Sequence, residues 1–417
     1  MITSGVMGAS AESLPELRIT RGDPLAWVIW RLFRDHRWRL VWLVAIGGAA
    51  AMYGLSALDG TLLPRLGFDS AIADLNSAII WLVLVPIAAH AYVTQLVDIP
   101  KLFADLQRQD VTGLSEPEYA KFVEDCRRVY NHPYWAVICL LIFAVPWMLF
   151  MQATAASPHT WYYPEALWPW WVYCAIQYLE IYAALMYATR YAITCVQLRK
   201  LLHVGPPRPA FLFRRHFSRP ADRPLEPRFL HPDGLGGCGA VLGFVVHTLV
   251  IGGGVLVVAT LESVNTARTV SHFGQSSGLP AFIVVAVLYA TVVPYLLLYP
   301  LRLTLGSLRD AKRHLASKLS AHESKIIWER IGQVDQATPS ERDEHVGVLI
   351  RSLRPLGEIS AALNTVPGSL VELGQRSSQA LVMATVVPPV VAVAYRIAAD
   401  VWGWNLDTLI RTILVGH

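Results

Sequence analysis

Residues Arg31 to Leu58 read RLFRDHRWRLVWLVAIGGAAAMYGLSAL: four arginines (Arg31, Arg34, Arg37 and Arg39), then a run from Leu40 to Leu58 without a formal charge. A bilayer core roughly 30 Å thick is crossed by about 20 apolar residues in a helix, and this run has that length. Positive residues beside a span stay on the cytoplasmic side, so the arginines predict an amino terminus held inside. Residues 1 to 38 carry Arg18, Arg21, Arg31, Arg34 and Arg37 without a separate apolar core and cleavage site, so the first span is expected to serve as its own insertion signal.

The same pattern recurs along the chain. Further uncharged or nearly uncharged runs lie at Leu75–Val97, Tyr134–Gln152, Trp168–Thr189, Gly239–Leu261 and Ala281–Leu301, which makes six spans with Leu40–Leu58. A seventh, Ala380–Ala399, contains Pro388, Pro389 and Arg396. Composition agrees, because 54% of the 417 residues are hydrophobic and 16% charged, against roughly 25% charged in soluble domains. So little polar surface does not cover a soluble particle of this size. The net charge of +4 matters less than its placement, and nucleic acid is not expected as a partner.

The connecting segments alternate. Lys101, Arg108, Lys121, Arg127 and Arg128 lie between spans two and three, and Arg199, Lys200, Arg208, Arg214, Arg215, Arg219, Arg223 and Arg228 follow span four. The intervening loops carry Arg65, then no Lys or Arg between Met151 and Tyr173, then Arg268. The expected fold is therefore all-α: a polytopic helical bundle of about seven transmembrane helices in a bacterial inner membrane, amino terminus cytoplasmic. Its parts are a cytoplasmic segment 1–39, a six-span bundle 40–301 with basic cytoplasmic loops 98–133 and 190–238, a cytoplasmic helical hairpin 302–379, and a seventh span with an external tail over 380–417. Trp161, Tyr162, Tyr163, Trp168, Trp170 and Trp171 read as an aromatic belt at the outer face.

Asp23-Pro24 supplies an N-cap and a first-turn proline, and Leu25, Val28, Ile29, Leu32 and Phe33 follow as an apolar stripe beside arginines. This predicts an interfacial helix against anionic lipid headgroups. Ser115 and Glu118 have capping-box spacing ahead of Tyr119, Phe122, Val123, Cys126 and Tyr130, which predicts a second amphipathic helix. Leu301, Leu305, Leu308, Ala311, Leu315 and Leu319 carry span six onward as a long helix. Residues 335–344, with Pro339, should break it, and Val346, Leu349, Ile350 and Leu353 should form a returning helix that stops before Pro355. That hairpin packs either on itself and the other loops or on a second copy, making a homo-oligomer.

Ionisable groups at membrane depth are expensive unless paired or hydrated, which makes them candidates for function. Tyr173, Gln177, Glu180, Ala184, Tyr187 and Tyr191 recur at three and four residues and so share one face of span four. With His90 in span two, His247 in span five and Tyr295 in span six, Glu180, Gln177, Tyr173 and Tyr187 make up a candidate intramembrane polar layer. Pro86, Pro146 and Pro294 interrupt spans, and Gly47 with Ala51 and Ala50 with Gly54 give span one small-residue packing faces. Five scattered cysteines form no metal or redox motif, and no cofactor is expected.

The loop before span five reads His231-Pro232-Asp233-Gly234-Leu235-Gly236-Gly237. Here the chain resembles a group of bacterial multi-span membrane proteins that carry His-Pro-Asp, two variable residues and Gly-Gly just before a span. The resemblance runs loosely through span six and its basic extension and implies no activity. Within the loop, His231, Asp233, Gly236 and Gly237 are the candidate residues: Asp233 as cap of the next helix, the glycines for a close backbone approach. No phosphate loop, paired zinc histidines or nucleophile elbow occurs, so an enzyme is the least supported class. The leading expectation is a channel, or a sensor with a channel-like core. The alternatives are a secondary transporter coupled to protons or ions, and a membrane scaffold binding a cytoplasmic partner.

Overall fold

Caps and prolines set the helix starts. Pro24 opens α1 (Pro24–Phe33), and α2 (Arg37–Ala49) passes through a π-helical turn (Ala50–Gly54) into α3 (Leu55–Leu58). A second π turn (Ile80–Leu84) leads into α4 (Val85–Arg108), followed by α5 (Glu116–Tyr130), α6 (134–141) and α7 (Leu167–Leu202). Then come α8 (Gly239–Ile251), α9 (Tyr299–Gln336) and α10 (Pro339–Thr365). The computed structural model describes residues 17–33, 37–63, 71–72, 80–109, 111–141, 167–202, 235–251, 298–336 and 338–365, with single positions 78, 379 and 390. The fold is all-α, with no strand among the described residues.

Among the described residues, two helical runs are long and apolar enough to cross a membrane: Arg39–Leu58 with 20 residues and Trp81–Arg108 with 28. The first contains the expected span Leu40–Leu58, and the second overlaps the expected span Leu75–Val97 from Trp81 onward. Only 22% of the first is buried, and Trp42, Leu43 and Ile46 stand out on one side of it, 58–67% exposed. Burying one such side chain is worth about 1.5–3 kcal/mol, so a stripe of this kind is built for an apolar surrounding. The remainder of span three beyond 141, of span five beyond 251 and of span six before 298 lies outside the described residues, as do the aromatic belt up to Tyr163 and nearly all of Ala380–Ala399. The described helix α7 contains span four, but its tryptophans and tyrosines, with Gln177 and Glu180, make it less apolar than the first two.

Helices extend past the expected membrane boundaries. α4 continues to Arg108 and α7 to Leu202, so parts of the expected loops 98–133 and 190–238 are helix. Pro86 explains the π turn before α4, since it offers no N–H to the preceding turn and its ring crowds the carbonyl four residues back.

The chain divides into two compact units, residues 1–101, 114–194 and 405–417 in one and residues 102–113 and 195–404 in the other. In the first, Met52, Ala71 and Trp81 form a buried cluster against which Tyr53, Leu55 and Ile176 pack. The close approach there is made by Gly48: a Cβ on it would lie 2.9 Å from the Trp81 carbonyl oxygen, whereas Gly47 and Gly54 have open space. The expected small-residue faces are thus replaced by one contact, one residue round the helix. α5 forms as its capping box predicts, with Ser115 N–H and Oγ donating to Glu118 Oε2 at 2.9 and 2.6 Å and all five expected residues, Tyr119 to Tyr130, buried. The segment before α1 is stitched to the end of α5: Arg21 N–H donates to Asn131 Oδ1 (2.8 Å), and Asn131 Nδ2 donates to Arg18 O (2.6 Å).

In the second unit, α9 and α10 pack as a hairpin. Its break is far shorter than the expected 335–344. Thr338, Pro339 and Glu341 start α10 at once: Thr338 Oγ1 donates to Glu341 Oε2 at 2.6 Å, Thr338 N–H to the same oxygen at 3.2 Å, and Pro339 takes the first helical position. Nor does α10 stop before Pro355; it runs through it to Thr365. An interior proline costs about 3 kcal/mol, which the packing of α10 on α9 offsets; the exposed Arg354–Glu358 pair (3.4 Å) across that turn adds at most a few tenths.

Candidate functional site

Asp23 does more than cap α1. Its Oδ1 accepts from the N–H groups of Leu25 (3.0 Å) and Ala26 (3.2 Å), the bonds expected of an N-cap. The same oxygen accepts from the Tyr182 hydroxyl of α7 at 2.8 Å. Oδ2 accepts from the Tyr92 hydroxyl of α4 and from Arg190 Nη2 of α7. Arg190 Nη2 also lies 3.2 Å from the Tyr92 hydroxyl, and the guanidinium carbon sits 4.6 Å above that ring's centroid.

Asp23 and Arg190 form a salt bridge with both side chains 2% exposed. Two bare charges so deeply buried would each cost several kcal/mol, which their mutual attraction offsets only with good geometry and further hydrogen bonds. Here two backbone donors, two phenols and a ring face supply these. Three elements distant in sequence, the start of α1, the middle of α4 and the middle of α7, are thereby held at one point. Arg190 Nη1 is buried without a hydrogen-bond partner, so the guanidinium is satisfied on one side only. One turn away, Gln95 of α4 donates Nε2 to the Tyr187 carbonyl at 2.9 Å, while its Oε1 is buried without a partner.

Arg190 was not among the sequence-derived candidates. It directly follows Thr189 at the end of an apolar run, where an arginine reads as a topology residue. The available signal was Tyr182, Met186 and Arg190 at intervals of four, all buried, which define the inward face of α7. The expected face of Glu180, Ala184, Tyr187 and Tyr191 lies roughly a third of a turn round. On it Ala184 is exposed, Glu180 and Tyr187 are half-buried, and Tyr191 is buried.

Of the other candidates, Glu180 keeps its Oε1 buried with no hydrogen-bond partner. His90 is half-buried, with Thr94 Oγ1 3.5 Å from its Nε2 and donating to its carbonyl at 2.6 Å. His247 belongs to the second unit. The side chains of Tyr173 and Gln177, and all of Tyr295, His231 and Asp233, lie outside the described residues.

The two described glycines of the loop motif are both left-handed, Gly236 at φ 62° and Gly237 at φ 92°. A Cβ on Gly237 would lie 2.6 Å from Val111 Cγ2 and 3.5 Å from Gln109 Cβ, so the motif brings backbone close against these two residues. α8 begins at Gly239, after that double turn, and Asp233, expected as its cap, lies outside the described residues. Among the described residues no three His, Cys, Asp or Glu side chains are grouped to hold a metal ion. Comparison with known proteins returns no matching family, no matching curated protein and no matching solved structure.

Proposed function

We propose that the chain is a multi-pass inner-membrane protein of about seven spans, amino terminus cytoplasmic, working as a channel or a channel-like sensor around Glu180. The observation that carries this reading is the Glu180 Oε1, buried on a predominantly apolar helix without a hydrogen-bond partner. A carboxylate oxygen removed from water is costly unless a proton or cation satisfies it, and such groups in spans mark ion paths. The topology is supported by which segments meet: Arg18, Arg21 and Asp23 from the amino-terminal flank, Tyr92 near the end of span two, Asn131 before span three and Arg190 after span four. Apart from Tyr92, which lies within the cytoplasmic end of span two, all are positions that positive-inside alternation assigns to the cytoplasmic side.

A second reading, a proton- or ion-coupled transporter, draws support from the π turns in both span-length runs, Ala50–Gly54 and Ile80–Leu84. Such turns loosen the backbone ladder and recur at functional sites. The test is ion and proton flux in proteoliposomes. Glu180→Gln, which keeps shape and removes charge, abolishes the flux under this proposal; flux equal to wild type rejects it. Flux that saturates and tracks a co-substrate gradient selects the transporter.

A further inference from the structure

The helix α1 turns part of its apolar surface outward, while Leu25, Ile29, Trp30 and Phe33 are half-buried. Trp27 is 48%, Val28 43% and Leu32 66% exposed, while only Ala26 is buried. Its charges are as one-sided as its shape. Between Leu17 and Phe33 the charged residues are Arg18, Arg21, Asp23 and Arg31; the three arginines are exposed, and the acid is buried against Arg190. Among the described residues of 17–33 the exposed charges are therefore all cationic, set around an apolar strip, with Arg31 stacked over the Trp27 ring at 5.3 Å. Soon after it in sequence, Arg39 begins the span-length run whose Trp42, Leu43 and Ile46 are also exposed.

We propose that α1 docks on an anionic lipid surface, and that the Asp23–Arg190 pair transmits the docking to α7. The occupant follows from complementarity: apolar side chains match the acyl boundary, arginines match anionic headgroups, and continuity with the first span places the helix at that depth. The transmission follows from Asp23 serving two partners. Its Oδ1 holds the first turn of α1, and its Oδ2 holds the guanidinium of α7. A shift of α1 moves the counterion of a buried charge, which α7 must follow. The proposal rests on the membrane-spanning reading and deepens it.

The experiment is hydrogen exchange on the full chain in nanodiscs of phosphatidylcholine alone and of phosphatidylcholine with phosphatidylglycerol. Exchange at residues 24–33 slows in the anionic discs, by about fivefold per arginine engaged, and exchange at 186–194 changes with it. Arg18→Gln with Arg21→Gln and Arg31→Gln removes both differences. Asp23→Asn with Arg190→Gln keeps the cap and polar contacts but not the ion pair; there α1 still responds and 186–194 no longer does. Added salt shrinks the wild-type difference, a check that needs no variant. Equal exchange at 24–33 in the two membranes, or a response that survives loss of the three arginines, overturns the docking. A wild-type response confined to α1 overturns the transmission. A chain that stays out of the discs overturns the membrane reading itself.

Discussion

Asp23→Asn separates the charge of the buried site from its shape. Asparagine caps a helix about as well as aspartate, so the bonds to Leu25 and Ala26 are retained. The negative charge opposite Arg190 is lost, however, and the guanidinium stays at 2% exposure with only the Tyr92 ring and neutral oxygens around it. Leaving one member of a buried pair alone costs about 3–5 kcal/mol. At about 2–4 °C per kcal/mol for a unit of this size, the melting midpoint in detergent falls on the order of 10 °C. Arg190→Gln is similarly destabilising. The double variant, with no uncompensated charge, recovers much of the loss, giving a coupling of at least about 2 kcal/mol in the double-mutant cycle. Thermal unfolding of the four proteins in one detergent measures this. A single variant melting with wild type, or a double variant whose loss equals the sum of the singles, refutes the buried pair as the link between α1 and α7.

Gly237→Ala places a Cβ at positive φ and 2.6 Å from Val111 Cγ2; it lowers the midpoint, and Val111→Ala in the same chain restores part of the loss. Gly48→Ala pushes a methyl to 2.9 Å from the Trp81 carbonyl and destabilises, whereas Gly47→Ala, with open space, is neutral or stabilising by up to about 1 kcal/mol, as thermal melts of the pair will tell. Glu341 is held below its ordinary value of 4.5 by the hydrogen bonds it accepts from the Thr338 side chain and backbone. Because its folded value is the lower one, its contribution is present above 4.5 and is lost as pH falls through the folded value. The protection factors of the amides at the start of α10, taken relative to intrinsic exchange at each pH, therefore fall in acid, and Thr338→Ala removes most of that dependence.

Local rules reached the helix starts well. The Asp23 cap, the Ser115–Glu118 box and the five buried residues of α5 could be read directly, because caps and three-four spacing act within a turn or two. The Thr338–Glu341 box was equally legible but lay inside a stretch taken for a break because of Pro339, a residue that opens helices as readily as it ends them. The passage of α10 through Pro355 was not legible, since packing on α9 overrides a local penalty. The buried pair was hidden for a deeper reason. Asp23 and Arg190 are 167 residues apart, each has an adequate local explanation as cap or as topology residue, and only tertiary structure brings them together. Gly48 was missed by one position, because several small residues in a row leave the contacting face undetermined until the partner, Trp81, is in place.

The central claim is residence in the bilayer, and alkaline carbonate extraction of membranes from cells expressing the full chain tests it most directly. The account predicts that the chain stays in the pellet after carbonate and leaves it only with detergent. Recovery in the carbonate supernatant, followed by a folded, monodisperse species in plain buffer, would contradict it.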